Sequence, residues 1–462
     1  MLYCGMALTL LLIFGVSFYS GKKVSNASDF DSGSKKAGSV VVAGAVMGTL
    51  VGGSSTIGTA QLAYNYGMSA WWFTLGGGIA CLILAFIYAV PMRKAGQKTI
   101  VGIISAQYGK KSGVAASVLS SVGTFINILS QIISASAVIT ILIPGLPVSW
   151  TYIAVAVLMI IYVIFGGVLG AGMVGIVKLL LLYLSVVAGA VIVLMNCNGI
   201  GLLYNSLDHR TYFNLFARGI GTDGGAALSL ILGVLSTQSY AQAILAGRTD
   251  QDAVKGSLIS AFMIPPIGIG GILIGLYMRV KAPELVSAKM AFPQFVLENF
   301  PPIMAGVILA TLLIAVIGTG AGLSLGIGSM VRNDIVRSFT DKFDAPDKGL
   351  RFSRIFIVIV LGAACVLCML PIGDTILNFA FMSMGLRGAV VFIPLCCALW
   401  IKDRISPEWV VASIIAGPAV VLLFGLLDVL SFDPLFLGIL TALMISIAGI
   451  IKNRLGHGNG LT

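Results

Sequence analysis

Apolar runs long enough to cross a bilayer recur along the whole chain, and that recurrence constrains the fold more than any single motif. A stretch of about 20 apolar residues in lipid has to be helical, because no water is there to satisfy its backbone. The runs predict an all-α membrane protein of about 13 transmembrane helices. They fall near 2–20, 39–63, 69–91, 113–143, 149–166, 172–196 and 225–246, then 255–277, 303–331, 353–372, 374–401, 408–430 and 433–451. No hydrophilic stretch between them is long enough for a separate soluble fold, so residues 1–462 read as one integral domain. Charged residues make up 10% of the chain, against about 25% in soluble domains.

A net charge of +11 could suggest a nucleic-acid partner, but the basic residues sit in short loops between apolar spans. Lys22, Lys23, Arg93, Lys94, Arg332, Arg337, Lys402 and Lys452 fall on one side of the predicted topology, and far fewer, among them Arg210 and Arg279, on the other. That bias predicts a multi-pass cell-membrane protein with its N-terminus outside and its C-terminus cytoplasmic. Its partners are then membrane lipid and a small solute, with no nucleic acid; the oligomeric state is left open. The first run, Leu2–Tyr19, has no basic residues before it and reads as a retained helix, not a signal peptide. Seven cysteines lie almost wholly in apolar runs and there are two histidines, which suggests no closed metal site. Gly318–Gly328, GTGAGLSLGIG, has no preceding strand and reads as helix packing, not a dinucleotide loop. With no catalytic triad, paired carboxylates or phosphate loop, neither enzymatic activity nor a cofactor is expected.

Two of the spans are interrupted. In Gly44–Tyr64, GAVMGTLVGGSSTIGTAQLAY, the glycines at 44, 48 and 52 line one helical face and admit a close neighbour. Gly53, Ser54, Ser55, Thr56 and Gly58 then crowd together, which is poor helix chemistry and good material for a polar break. The second interruption is Ser236-Thr237-Gln238-Ser239-Tyr240-Ala241-Gln242, after Gly224, Gly225 and Gly233. Each broken span opens a block of five helices, at 39–196 and 225–401. An odd number of crossings gives the blocks opposite orientation, as in an inverted-repeat transporter with its solute near the midplane. The spans at 2–20 and 408–451 are peripheral.

At this point the chain resembles the sodium:solute symporter family, which has a LeuT-type fold with extra peripheral helices. GKKVSNASDF resembles the family's basic loop ending in Asp-Phe, and GGSSTIGTAQLAYNYG its broken second helix. IYVIFGGVLGA resembles the junction between helices five and six, TQSYAQAILAGR the seventh helix, and GVILATLLIAVIGTGAGLSLGIGSMVRNDI the ninth. The resemblance implies a sodium site formed by the carbonyls of Gly48, Val51 and Ala315 with Gly318 and Thr319. The family commonly has two hydroxyls at the last two positions, and here only Thr319 keeps one. Where many relatives carry an aspartate and then a glutamine on helix six, this chain has Gly175 and Lys178.

These departures open a sharper reading, in which the Lys178 ammonium takes the place of sodium and loads or releases a proton. The alternative is that Lys178 snorkels to the nearby interface. Ser54, Ser55, Thr56, Gln131, Thr237 and Gln238 are the candidate solute ligands, neutral groups suited to an amide, hydroxyl or carboxylate, with Asn127 beside Gln131 on one helix face. Capping and interhelical bonding are the plain alternatives for each. Arg387, an intramembrane charge, could bind a solute carboxylate, satisfy carbonyls at a helix break or fix its own helix. The expectation is a secondary active transporter for a small organic solute such as an amino acid or carboxylate, coupled to Na+ or H+. A uniporter or exchanger, or a non-transporting solute sensor, is the alternative; sensors carry a long signalling extension that is not seen after the last span.

Overall fold

A computed structural model of the chain describes residues 1–21, 37–340, 346–370, 375–427 and 430–458. The basic-loop motif from Lys22 to Phe30 lies outside them. Among the described residues the backbone is helical throughout, apart from loops and one isolated bridge between Ala37 and Gly247. The helices are α1 Leu2–Gly21, α2 Ser39–Leu50, α3 Thr59–Tyr66 and α4 Trp72–Ile83, the last continued by further turns to Lys94. They go on with α5 Ile100–Tyr108, α6 Lys110–Leu142, α7 Val148–Asn196, α8 Ile220–Leu235, α9 Gln238–Leu245 and α10 Asp250–Lys281. The series ends with α11 Ala291–Asn299, α12 Pro302–Met330, α13 Pro346–Cys368, α14 Ile376–Trp400, α15 Pro407–Leu427 and α16 Leu435–Gly458.

Among the described residues nine helices are long and apolar enough to cross a membrane, or ten with α8 and α9 counted as one bent span; three shorter apolar helices accompany them. The spans expected at 149–166 and 172–196 both lie within α7, whose 49 residues hold separate apolar segments at Val148–Ile164 and Gly175–Asn196. α7 is not one straight rod: Tyr162 hydroxyl and Lys178 Nζ both lie within 3.5 Å of where a β-carbon on Gly318 would be, whereas a straight helix would set these residues about 24 Å apart. The Gly166-Gly167 pair expected to part the two spans lies inside α7.

The chain does turn sharply at Gly67, where φ is +57° and a β-carbon would run into the backbone of Tyr212, so only glycine is accommodated.

The packing exchanges partners in a regular way. α2 lies against α7 and α10, while α8 lies against α14 and α4; α7 packs on α12, while α14 packs on α6. α6 and α12 meet in the middle, and both are buried along most of their length. Outward-facing Leu8, Leu11, Phe86, Leu180, Leu184, Ile359 and Met444 leave an apolar surface suited to lipid. The protein is a multi-pass membrane protein.

Candidate functional site

Both interrupted spans are broken in the structure, at positions that differ slightly from the expected ones. α2 ends at Leu50, and Val51 is extended (φ −89°, ψ 93°). The run Ser54–Gly58, expected to be the irregular part, is one π-helical turn leading into α3. Its hydroxyls explain why it coils again. Thr56 Oγ1 donates to the Gly52 carbonyl at 2.8 Å and Ser55 Oγ to the same oxygen at 3.0 Å, while Gly52 N–H donates to Ser55 Oγ at 3.0 Å. Ser55 and Thr56 therefore cap the break. In the second span, α8 stops at Leu235 and α9 starts at Gln238, with a bend of 44° across Ser236-Thr237.

Ser54 has a different environment from its two neighbours. Gln131 Oε1 accepts from Gly53 N–H at 3.0 Å, and Gln131 Nε2 donates to Ser54 Oγ at 3.1 Å, Ser130 Oγ at 3.2 Å and Asn127 Oδ1 at 3.3 Å. Ser54 Oγ lies 3.3 Å from Ser130 Oγ. All four side chains are buried. Ser130 was not among the expected ligands, although Asn127, Ser130, Gln131 and Ser134 follow the i, i+3, i+4, i+7 spacing of one helix face, a legible signal. Gln131→Ala leaves the buried Gly53 N–H without an acceptor, and a lost partner of this kind costs about 1–3 kcal/mol. The expected outcome is a clearly lower melting temperature in a thermal melt of the purified variant.

Thr237 and Gln238 do not join that cluster. Thr237 Oγ1 donates to the Gly233 carbonyl at 2.5 Å and accepts from Arg387 at 2.6 Å. Gln238 turns away: its Oε1 accepts from Ile100 N–H at 2.9 Å and its Nε2 donates to the Lys98 carbonyl at 3.4 Å. Gln238, expected among the solute ligands, ties α9 to the loop before α5.

The residues expected to form the sodium site do come together, around Lys178. Its Nζ donates to the Gly48 carbonyl at 2.5 Å, the Ala315 carbonyl at 3.2 Å and Thr319 Oγ1 at 3.3 Å. Thr319 Oγ1 also lies 3.4 Å from the Gly48 carbonyl and 3.5 Å from that of Val51. The lysine is 2% exposed, its ammonium turned into the protein and not out to an interface. Glycines make the approach possible. A β-carbon on Gly175 would stand 3.1 Å from the Gly44 carbonyl, and one on Gly48 would stand 3.4 Å from the α-carbon of Gly175. The hydroxyl missing at Gly318 leaves room that the ammonium faces, 3.4 Å from where a β-carbon would be.

Both ends of this central region are tied shut. At the end near Arg93, its guanidinium pairs with Asp250 at 2.7 Å and caps α9 through the carbonyls of Ile244 and Gly247. The start of α2 joins there, with Ala37 N–H donating to Ala246 and Arg248 N–H to Ala37. At the other end Tyr64 hydroxyl donates to the Ala282 carbonyl at 2.7 Å, under the Arg279 guanidinium 5.2 Å from its ring.

Two broken helices around a buried polar cluster, closed toward both surfaces, define a membrane transporter of the alternating-access kind. The chain belongs to the sodium:solute symporter family, whose profile matches residues 30–417, and it is a secondary active symporter. It is 23% identical over 477 residues to the sodium/pantothenate symporter of Escherichia coli (strain K12), an alignment covering 97% of this chain and 95% of that one. It is also 29% identical over 180 residues to the uncharacterized symporter YwcA of Bacillus subtilis (strain 168), spanning 38% of this chain and 35% of that protein. Among solved structures it is similar to a substrate-bound, outward-open Na+-coupled sialic acid symporter, with a TM-score of 0.81, 16% identity and 98% of each chain covered. It is also similar to the nucleobase-cation-symport-1 transporter Mhp1 in a closed conformation, with a TM-score of 0.62, 13% identity, and 92% and 95% covered. At these identities the likeness to solved structures speaks for the LeuT-type fold.

Proposed function

We propose that this symporter moves a small organic solute with a built-in ammonium, Lys178, in the position where its relatives hold the coupling sodium. Transport is then sodium-independent and driven by a proton that Lys178 takes up and gives back. One observation carries this reading: Nζ donates to the Gly48 carbonyl, the Ala315 carbonyl and Thr319 Oγ1, the oxygens expected to bind sodium. An ammonium among those oxygens fills the volume and supplies the charge of a cation, and hard cations need a full set of oxygen ligands that the site lacks at Gly318. The solute would meet Ser54, Asn127, Ser130 and Gln131 between the two breaks. The basic loops support a cytoplasmic C-terminus in the cell membrane, with the Arg93 end of the bundle facing inward.

A thermal-shift screen of small solutes on the purified chain, with and without sodium and at two pH values, identifies a ligand for uptake assays in proteoliposomes. Uptake is expected to follow an imposed pH gradient and to be unchanged when choline replaces sodium. Steep sodium dependence combined with full activity of Lys178→Met would overturn the reading.

A further inference from the structure

The core holds a second buried cation, and none of the bonds it makes is to a carboxylate. Arg387 on α14 is 0% exposed. Its Nε donates to the Ser383 carbonyl at 3.1 Å, one terminal nitrogen to Thr237 Oγ1 at 2.6 Å, and the other to Ser383 Oγ at 2.9 Å and Met384 Sδ at 3.1 Å. All of these acceptors are neutral. The two hydroxyls pass the interaction on, Thr237 to the Gly233 carbonyl near the end of α8 and Ser383 to the Gly123 carbonyl on α6. Neutral side chains could satisfy the same hydroxyls, so the positive charge itself is left to explain. A guanidinium out of water without a counter-charge is costly unless something negative joins it.

Its position matches that of Lys178 when the two five-helix blocks are exchanged. Lys178, on the last helix of the first block, reaches the end of α2 and the partner block's α12. Arg387, on the last helix of the second block, reaches through hydroxyls to the end of α8 and the partner block's α6. The exchanged packing of α2 on α7 and α8 on α14, and of α7 on α12 and α14 on α6, follows the same rule. The breaks therefore carry one buried cation each. Asn127 of the polar cluster is four residues from Gly123, about 6 Å along α6. Among the described residues, the buried carboxylate Asp223 is already paired, to Arg218 at 2.7 Å, and Asp334 accepts from Thr99 at 3.0 Å beyond the end of α12.

We propose that the transported solute is an anion, a small carboxylate, and that Arg387 is the fixed positive charge that selects it. The inference rests on the reading of Lys178 as a built-in cation, because Lys178 then already fills the place of the coupling ion and Arg387 is the charge in excess. The carboxylate would sit between the two breaks, with its neutral remainder against Ser54 and Gln131, and Arg387 would exchange a hydroxyl or thioether partner for it.

The test is a thermal-shift series on the purified full chain, using acetate, lactate, pyruvate, succinate and pantothenate, each beside its amide or alcohol counterpart. At least one carboxylate is expected to raise the melting temperature while its neutral counterpart does not. Arg387→Gln is expected to weaken that carboxylate by about tenfold or more, and Arg387→Lys to keep the preference for the charged form. Equal stabilisation by charged and neutral members, no stabilisation by any carboxylate, or wild-type carboxylate affinity in Arg387→Gln would each overturn the proposal. Should Arg387→Gln fail to fold, the wild-type series and Arg387→Lys decide the matter. Repeating the series in choline separates the two readings: a sodium requirement removes the built-in cation and leaves carboxylate selectivity to stand or fall by the charged and neutral pairs.

Discussion

Combining Lys178→Ala with Gly318→Ser is expected to produce a protein that sodium stabilises, where the wild type is indifferent to it. The carbonyls of Gly48 and Ala315 and the Thr319 hydroxyl already converge on one point, occupied by the Lys178 ammonium. Shortening the lysine empties that point. A serine at 318 has space, since a β-carbon there would meet Lys178 Nζ at 3.4 Å and Tyr162 hydroxyl at 3.5 Å and nothing nearer. It would supply the second hydroxyl that the family commonly has. Lys178→Ala alone takes the short donor from the Gly48 carbonyl, which keeps only the 3.4 Å contact of Thr319 Oγ1; a lost buried donor costs about 1–3 kcal/mol, and the melting temperature should fall in every buffer. In the double variant sodium replaces the lost donor, and binding to the folded state alone raises stability with ion concentration. Melting in sodium chloride and in choline chloride reads this directly, without any knowledge of the solute. A wild type already stabilised by sodium, or a double variant blind to it, would show that the ammonium does not stand in for the ion.

That prediction depends on three-dimensional proximity to which the sequence gives only a hint. Lys178 stands out in the sequence as an amine in an apolar run, but its partners Gly48 and Ala315 are 130 and 137 residues away. The sequence alone leaves snorkelling and ion replacement both open; in the fold the ammonium turns inward, between α2 and α12. The breaks were more legible, because glycine and hydroxyl residues have no business in a lipid-spanning helix unless something polar meets them. Their registers were harder to place. Ser55 and Thr56 look like breakers and instead bond the Gly52 carbonyl, so the extended residue is Val51, an ordinary apolar side chain. Thr237 and Gln238 are neighbours in sequence, yet Thr237 is extended (φ −97°, ψ 125°) while Gln238 opens α9. One therefore faces Arg387 while the other faces the loop before α5.

Within the site, Gly52 is a position where one added methyl group is expected to do large damage. The residue lies directly between the two halves of the site. A β-carbon there would lie inside contact distance of Thr319 Oγ1 and 2.9 Å from Gln131 Oε1. Those two atoms belong to different helices, α12 and α6, and neither can swing aside freely. Thr319 is held by Lys178 and the Gly48 carbonyl, and Gln131 by Gly53, Ser54 and Asn127. Overpacking a tight core costs about 1–3 kcal/mol, and moving Gln131 also strands the Gly53 N–H, at a similar cost. Gly52→Ala should therefore lower the melting temperature markedly and abolish ligand-induced stabilisation. Gly326→Ala, on the same α12, provides the control. A β-carbon there meets nothing within 4 Å, and alanine in a helix interior is better than glycine by about 0.5–1 kcal/mol. Its melting temperature should rise slightly. If Gly52→Ala melts and binds like the wild type, α6 and α12 do not clamp the break, and a site built on that clamp is wrong.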